Sequence, residues 1–142
     1  MNKHTVHQLI LDKLQIDLDI AENKYDTLGL EASYLAAGQA RRVEEIRQSL
    51  TLCQNLTLRS YDDQRGIEVG ALLGLEDEKG REQWLFLAPD AAGLKVDLVG
   101  QLITVITPRS PLGKSLLGKF EGDEVEIMVA GARQQYAVTE VV

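Results

Sequence analysis

Leu11-Asp12-Lys13-Leu14-Gln15-Ile16-Asp17-Leu18-Asp19-Ile20-Ala21-Glu22-Asn23-Lys24-Tyr25-Asp26-Thr27-Leu28-Gly29 is the stretch on which the fold turns. Leu11, Leu14, Leu18, Ala21, Tyr25 and Leu28 follow one another at alternating steps of three and four, the spacing that lines apolar side chains along one seam of a helix. Beyond Gly29 a similar seam resumes with Ala32, Ala36, Val43, Ile46, Leu50 and Cys53, interrupted at Gln39. No proline occurs between Thr5 and Asn55, and the glycines there are Gly29 and Gly38, so two long arms broken at Gly29 are expected. At 1.5 Å rise per residue, arms of about twenty to twenty-five residues reach on the order of 30–37 Å. A short joint packs them antiparallel, as an αα-hairpin.

The chain changes character between Arg59 and Gly66. All 3 prolines and most of the glycines lie beyond it, and the apolar runs become short. Ile67 to Leu75, Gln83 to Ala88, Leu98 to Thr107, Asp123 to Val129 and Gln135 to Val142 read as strands, separated by turn signals such as Glu-Lys-Gly, Ala-Pro-Asp and Ala-Gly-Ala. Pro111 to Gly118 reads as one short helix, with Leu112, Leu116 and Leu117 at helical spacing, proline in the first turn and glycine at the end. The expected fold is α+β: an N-terminal antiparallel coiled-coil hairpin over residues 1–60, then a small antiparallel β domain with one helix over 61–142.

Composition narrows the function. With 142 residues, 44% hydrophobic and 26% charged, the chain is ordinary for a globular protein. Its longest nearly apolar stretch, Leu98 to Thr107, falls well short of the roughly 18 residues of a membrane span, and Met1 leads into no hydrophobic signal segment. A cytoplasmic protein with no membrane partner is therefore expected. The single cysteine, Cys53, forbids an internal disulfide, and with His4 and His7 alone it makes no structural zinc site. Its place on the seam reads as a buried apolar thiol. The charge balance of 15 − 22 = −7 argues against a basic surface for phosphate backbones, so RNA enters only through another molecule.

No catalytic apparatus stands out. His4 and His7 fall in an N-terminal turn expected to be solvated, no phosphate-cradling glycine loop is present, and Trp84 to Leu87 reads as a strand buried on both faces rather than a ligand groove. Charge is more informative. Asp12, Asp17, Asp19, Glu22, Asp26 and Glu31 outnumber Lys13 and Lys24, whereas Arg41, Arg42, Arg47 and Arg59 outnumber Glu44 and Glu45 on the return arm. The plain reading is a solvated face of mixed sign. The sharper one is a carboxylate-bearing tip, and such oxygens hold Mg²⁺ only with help, because that ion wants six ligands.

One segment is specific: Ile106-Thr107-Pro108-Arg109-Ser110-Pro111-Leu112-Gly113-Lys114-Ser115-Leu116-Leu117-Gly118-Lys119, followed by Glu121-Gly122-Asp123-Glu124-Val125-Glu126-Ile127. It resembles the C-terminal signature of the GreA/GreB transcript cleavage factors, in which a strand leads to Ser-Pro, a small-residue helix, Leu-Leu-Gly-Lys, Gly-Asp and a final pair of strands. The resemblance covers about 35 residues. The order of parts, a coiled coil before an FKBP-like domain, agrees with the periodicity of the rest.

The resemblance implies a factor that binds bacterial RNA polymerase. In the family the globular domain docks at the rim of the polymerase secondary channel through the loop around its Ser-Pro, here Arg109, Ser110, Pro111 and Leu112, and the coiled coil enters the channel. Two acidic tip residues then help hold the second Mg²⁺, so that the polymerase cuts backtracked RNA. The factor is not itself an enzyme, and no metal is expected to stay on the free protein. Carried over, Asp26 and Glu31 flank the Gly29 turn as tip residues. The family tip has Asp, two residues, then Glu and Asn, a spacing found here at Asp19-Ile20-Ala21-Glu22-Asn23, so Asp19 and Glu22 form the alternative pair. Arg109 stands where the family commonly has Asp or Asn. A non-cleaving Rnk-like regulator that competes for the channel is the rival reading, and a peptidyl-prolyl isomerase is disfavoured by an aromatic content of 5%.

Overall fold

A computed structural model describes the backbone of residues 1–27 and 33–142, and the side chains outside 24–36. Helix α1 (Lys3–Thr27) and helix α2 (Ser33–Gln54) pack against each other. His7 lies beside Cys53, while Glu22, further along α1, reaches back to Arg47; the two helices therefore run antiparallel. The expected break at Gly29 falls in residues 28–32, outside the described residues.

The seam differs from the expected one near its base. Among the described side chains of α1, Val6, Ile10, Leu14, Leu18 and Ala21 are the buried apolar positions, and Leu11 is half-buried at the cluster's edge; Tyr25, Leu28, Ala32 and Ala36 of the expected seam lie outside the described side chains. Steps of four advance the stripe by about 40° each around a helix of 3.6 residues per turn, so the buried face rotates from α2 toward the sheet. Val43, Ile46, Leu50 and Cys53 of α2 are buried as expected.

Six strands follow: β1 (Leu72–Asp77), β2 (Glu82–Leu87), β3 (Lys95–Leu98), β4 (Gln101–Ile106), β5 (Glu124–Val129) and β6 (Ala132–Val141), with helix α3 (Pro111–Leu116) between β4 and β5. They form one sheet in the order β3-β4-β2-β1-β6-β5. All neighbouring pairs are antiparallel except β2 and β4, which are parallel. The exception arises because the chain leaving β2 skips one place to lay down β3, and β4 then fills the gap.

The run from Leu98 to Thr107, expected as one strand, is split by a tight turn. Val99 and Gly100 both have positive φ, 50° and 81°, as a two-residue hairpin turn requires, and Asp97 accepts the Gly100 N–H at 2.9 Å. The first strand begins at Leu72 rather than Ile67, and the last at Ala132 rather than Gln135.

Alternation along the strands builds two cores. Leu72, Phe86, Ile103 and Val105 share a cluster with the hairpin residues, whereas Leu73, Leu75, Leu85 and Leu87 cluster with Leu116 of α3, Val125 and Val138. Both faces of β1 and β2 are therefore covered, which accounts for their unbroken apolar runs. Trp84 to Leu87 is core, as expected: Leu85, Phe86 and Leu87 are buried. The start of α1 corrects the expectation for His7, which is anchored rather than solvated, while His4 is exposed as expected. The His7 ring stacks on Phe86 with centroids 6.2 Å apart, and its Nε2 lies 2.7 Å from the Cys53 carbonyl. Lys3 is buried and donates to the Arg59 carbonyl and, at 2.9 Å, to the Val142 oxygen. Burial lowers the Lys3 pKa, with nearby Glu68 opposing.

Candidate functional site

The segment between β4 and α3 is shaped by its own hydrogen bonds. Buried Thr107 turns its carbonyl toward Ser110, accepting from the Ser110 N–H at 3.2 Å and from its hydroxyl at 3.0 Å. The same hydroxyl accepts the Gly113 N–H at 3.0 Å, making Ser110 the N-cap of α3. Pro111 follows at the first helical position, where its missing N–H costs nothing. Gly113 is required: a Cβ there would lie 2.0 Å from the Thr107 carbonyl oxygen.

The four expected docking residues are thus adjacent but unlike one another. Arg109 and Pro111 are exposed, Ser110 is half-buried with its hydroxyl engaged internally, and Leu112 packs partly against the second core. Lys114 of α3 and Leu117 at its C-terminal cap extend the exposed surface.

Two residues overlooked in the sequence complete the neighbourhood. The loop between β2 and β3 lies across the end of β4, with Ala88 N–H bonded to Ile106 at 2.8 Å, Gly93 N–H to Val105 at 2.9 Å and Val105 N–H to Leu94 at 2.8 Å. That pairing sets Asp90 beside the segment expected to dock. Arg109 Nη2 meets Asp90 Oδ1 at 2.6 Å, and Ser49 of α2 donates to Asp90 Oδ2 at 3.1 Å. Burial opposes ionisation of Asp90, but hydrogen bonds from Arg109, the Ala91 N–H and Ser49 outweigh it and lower the pKa. The sequence signal was faint: Pro-Asp read only as a turn, and Ser49 lies beside the seam. The neighbouring Cys53 thiol is buried, and its pKa is pushed up to about 11, first by burial and then by the Asp90 charge.

The acidic candidates are spread along the hairpin. Asp26 falls in the last turn of α1, and Glu31 lies outside the described residues. Asp19 and Glu22 sit within the body of α1 rather than at its end. Asp19 accepts a hydrogen bond from Gln15 at 3.0 Å, and Glu22 is held by Arg47 of α2 at 2.9 Å, which also binds Glu44 at 3.0 Å. Among the described residues no three His, Cys, Asp or Glu side chains converge as a metal site, and no helix is long and apolar enough to cross a membrane.

Residues 67–142, which include β1 to β6 and the Ser110-Pro111 turn, match the family model described as "Transcription elongation factor, GreA/GreB, C-term". A transcription elongation factor GreA from Alkalilimnicola ehrlichii is 30% identical over 130 residues, spanning 86% of this chain and 78% of that protein. A GreA from Acinetobacter baumannii is 26% identical, spanning 99% of this chain and 90% of that protein. The crystal structure of GreA factor homolog 1 (Gfh1) of Thermus thermophilus aligns with 97% of this chain and 93% of that one at 18% identity, with a TM-score of 0.43. An α-hairpin leading into a six-stranded sheet with a serine-capped helix defines a two-part α+β protein. The chain belongs to the GreA/GreB transcription elongation factor family, as a divergent member.

Proposed function

We propose that this chain binds bacterial RNA polymerase at its secondary channel, docking through the surface around Arg109, Ser110, Pro111 and Leu112 and offering the α1–α2 hairpin to the channel. The observation that carries the reading is the capped Ser110-Pro111 turn within the stretch that matches the family model. On this reading the factor is not an enzyme; it modulates the polymerase's own site in the cytoplasm, touching RNA only through the polymerase. Mg²⁺ would be shared with the polymerase, with Asp26 and Glu31, the carboxylates nearest Gly29 in sequence, as the ligands this chain lends. Asp19 and Glu22 are the alternative pair, and the Glu22 ion pair with Arg47 weighs against their release to a metal.

A second reading, favoured by the five-residue spacing of Asp26 and Glu31 against the family's shorter one, is a regulator that occupies the channel without promoting cleavage. RNA cleavage by polymerase stalled in a backtracked complex separates the two. Stimulation by the wild-type chain that is lost in Asp26→Ala/Glu31→Ala but kept in Asp19→Ala/Glu22→Ala establishes cleavage and locates the tip. No stimulation, with displacement of an active cleavage factor, selects the competing regulator. No binding to polymerase at all overturns both.

A further inference from the structure

We infer that Asp90 is a positioning residue: its two carboxylate oxygens, one on Ser49 of α2 and the other on Arg109 of the docking segment, fix the direction in which the hairpin leaves the docking surface. The inference rests on the docking and insertion roles proposed above.

Geometry supports it in three ways. First, beside the core that α1 and α2 share with the sheet, Asp90 bridges α2 directly to the segment around Ser110, with Ser49 at 3.1 Å and Arg109 at 2.6 Å. Second, the loop carrying it is itself immobilised, because Ala88, Gly93 and Leu94 are bonded to β4 immediately before the docking segment. Ala91, next in sequence, takes a left-handed φ of 74°, a conformation that a non-glycine residue holds only where its surroundings impose it. Third, Ser49 lies near the base of α2, with the Cys53 thiol one turn on and 4.0 Å from the Asp90 carbonyl. From Ser49 back to Ser33 the helix is a lever of about 24 Å, so a tilt of about 10° at the base displaces its far end by about 4 Å. That displacement exceeds the tolerance within which carboxylates share a metal.

The inference separates orientation from stability. Arg109 is largely exposed, and a surface ion pair contributes little to folding, so loss of Asp90 is expected to loosen the hairpin's direction without unfolding the chain. The test uses the full chain in a Cys53→Ala background, with spin labels on cysteines replacing the exposed Arg41 of α2 and Glu140 of β6. Pulsed electron resonance then reads the distance between them. With Asp90 and Ser49 intact a single narrow distance is expected. Asp90→Ala and, independently, Ser49→Ala are expected to lose it to a broad distribution while the thermal melt is retained. A distance that stays narrow in both variants overturns the inference. The measurement needs no polymerase, so failure of the wild-type chain to bind polymerase would sink the proposed function and leave this result standing.

Discussion

Arg109 and Asp90 meet at 2.6 Å although 19 residues separate them, and the pair joins the segment expected to dock with the loop that braces α2. The Asp90 pKa lies below its ordinary value of 3.8: burial pushes it up, and hydrogen bonds led by the one from Arg109 more than offset that. A depressed carboxylate contributes stability that is present above the unfolded-chain value and lost as pH falls through the folded one. Arg109→Ala is therefore expected to cost less than about 1 kcal/mol at neutral pH, with the gap from wild type closing in acid, as pH falls below 3.8 and Asp90 protonates in both proteins. Urea unfolding at the two pH values checks this; a gap that persists in acid would assign Arg109 a packing role instead.

Gly113→Ala should destabilise sharply. Within a helix, glycine to alanine ordinarily gains about 1 kcal/mol, but here the new Cβ would meet the Thr107 carbonyl oxygen at 2.0 Å. The clash is with backbone that also holds Ser110, so the cap must open or the strand end must shift. A net loss on the order of 2–4 kcal/mol is expected, read as a lower melting temperature. A gain would mean that the Ser110 turn has another stable form.

The hairpin owes its cohesion to its seam rather than its charges. Leu18 is buried among Leu14, Ala21, Val43 and Ile46, and Leu18→Ala is expected to cost about 2–5 kcal/mol. The exposed Arg47 joins Glu22 and Glu44, yet Arg47→Ala should leave the thermal midpoint within experimental scatter. Circular dichroism melts of the two variants decide the point, and equal losses would contradict it.

Cys53 should behave as an inert thiol. With its pKa raised from 9.0 to about 11 by burial and the Asp90 charge, a disulfide reagent at neutral pH should label it only as fast as the chain opens, and denaturant should accelerate the reaction. The unfolded chain releases this proton before the folded one does, so the thiol costs stability as pH rises from 9.0 toward about 11, at about 1.4 kcal/mol per pH unit. Wild type compared with Cys53→Ala over that range isolates the contribution. Rapid labelling of the native chain would refute it.

Much of this architecture was legible because periodicity is a local signal. The seam through Leu14, Leu18, Val43, Ile46 and Leu50 and the short helix at Pro111 could be read from spacing alone. The turn at Val99-Gly100 was missed because valine is a poor turn residue, and the apolar flanks Leu98 and Leu102 conceal the reversal. His7 was misjudged because its environment is Phe86 and Cys53, both far away in sequence. The bracing residues Ser49 and Asp90 were invisible for the same reason: neither carries a motif, and their meaning comes from a strand order in which β4 inserts between β3 and β2.

Lys3 donates to Val142 across a separation of 139 residues, and Val142 in turn bonds Leu72 at 2.8 Å. During synthesis the helices emerge first, but the buried site for the Lys3 ammonium does not exist until the last strand has been laid beside β1. Early in its life the hairpin is thus a helical pair with an unfinished base. Contacts of such long range form late and slowly, so the hairpin's base takes its final form only once β6 has paired with β1.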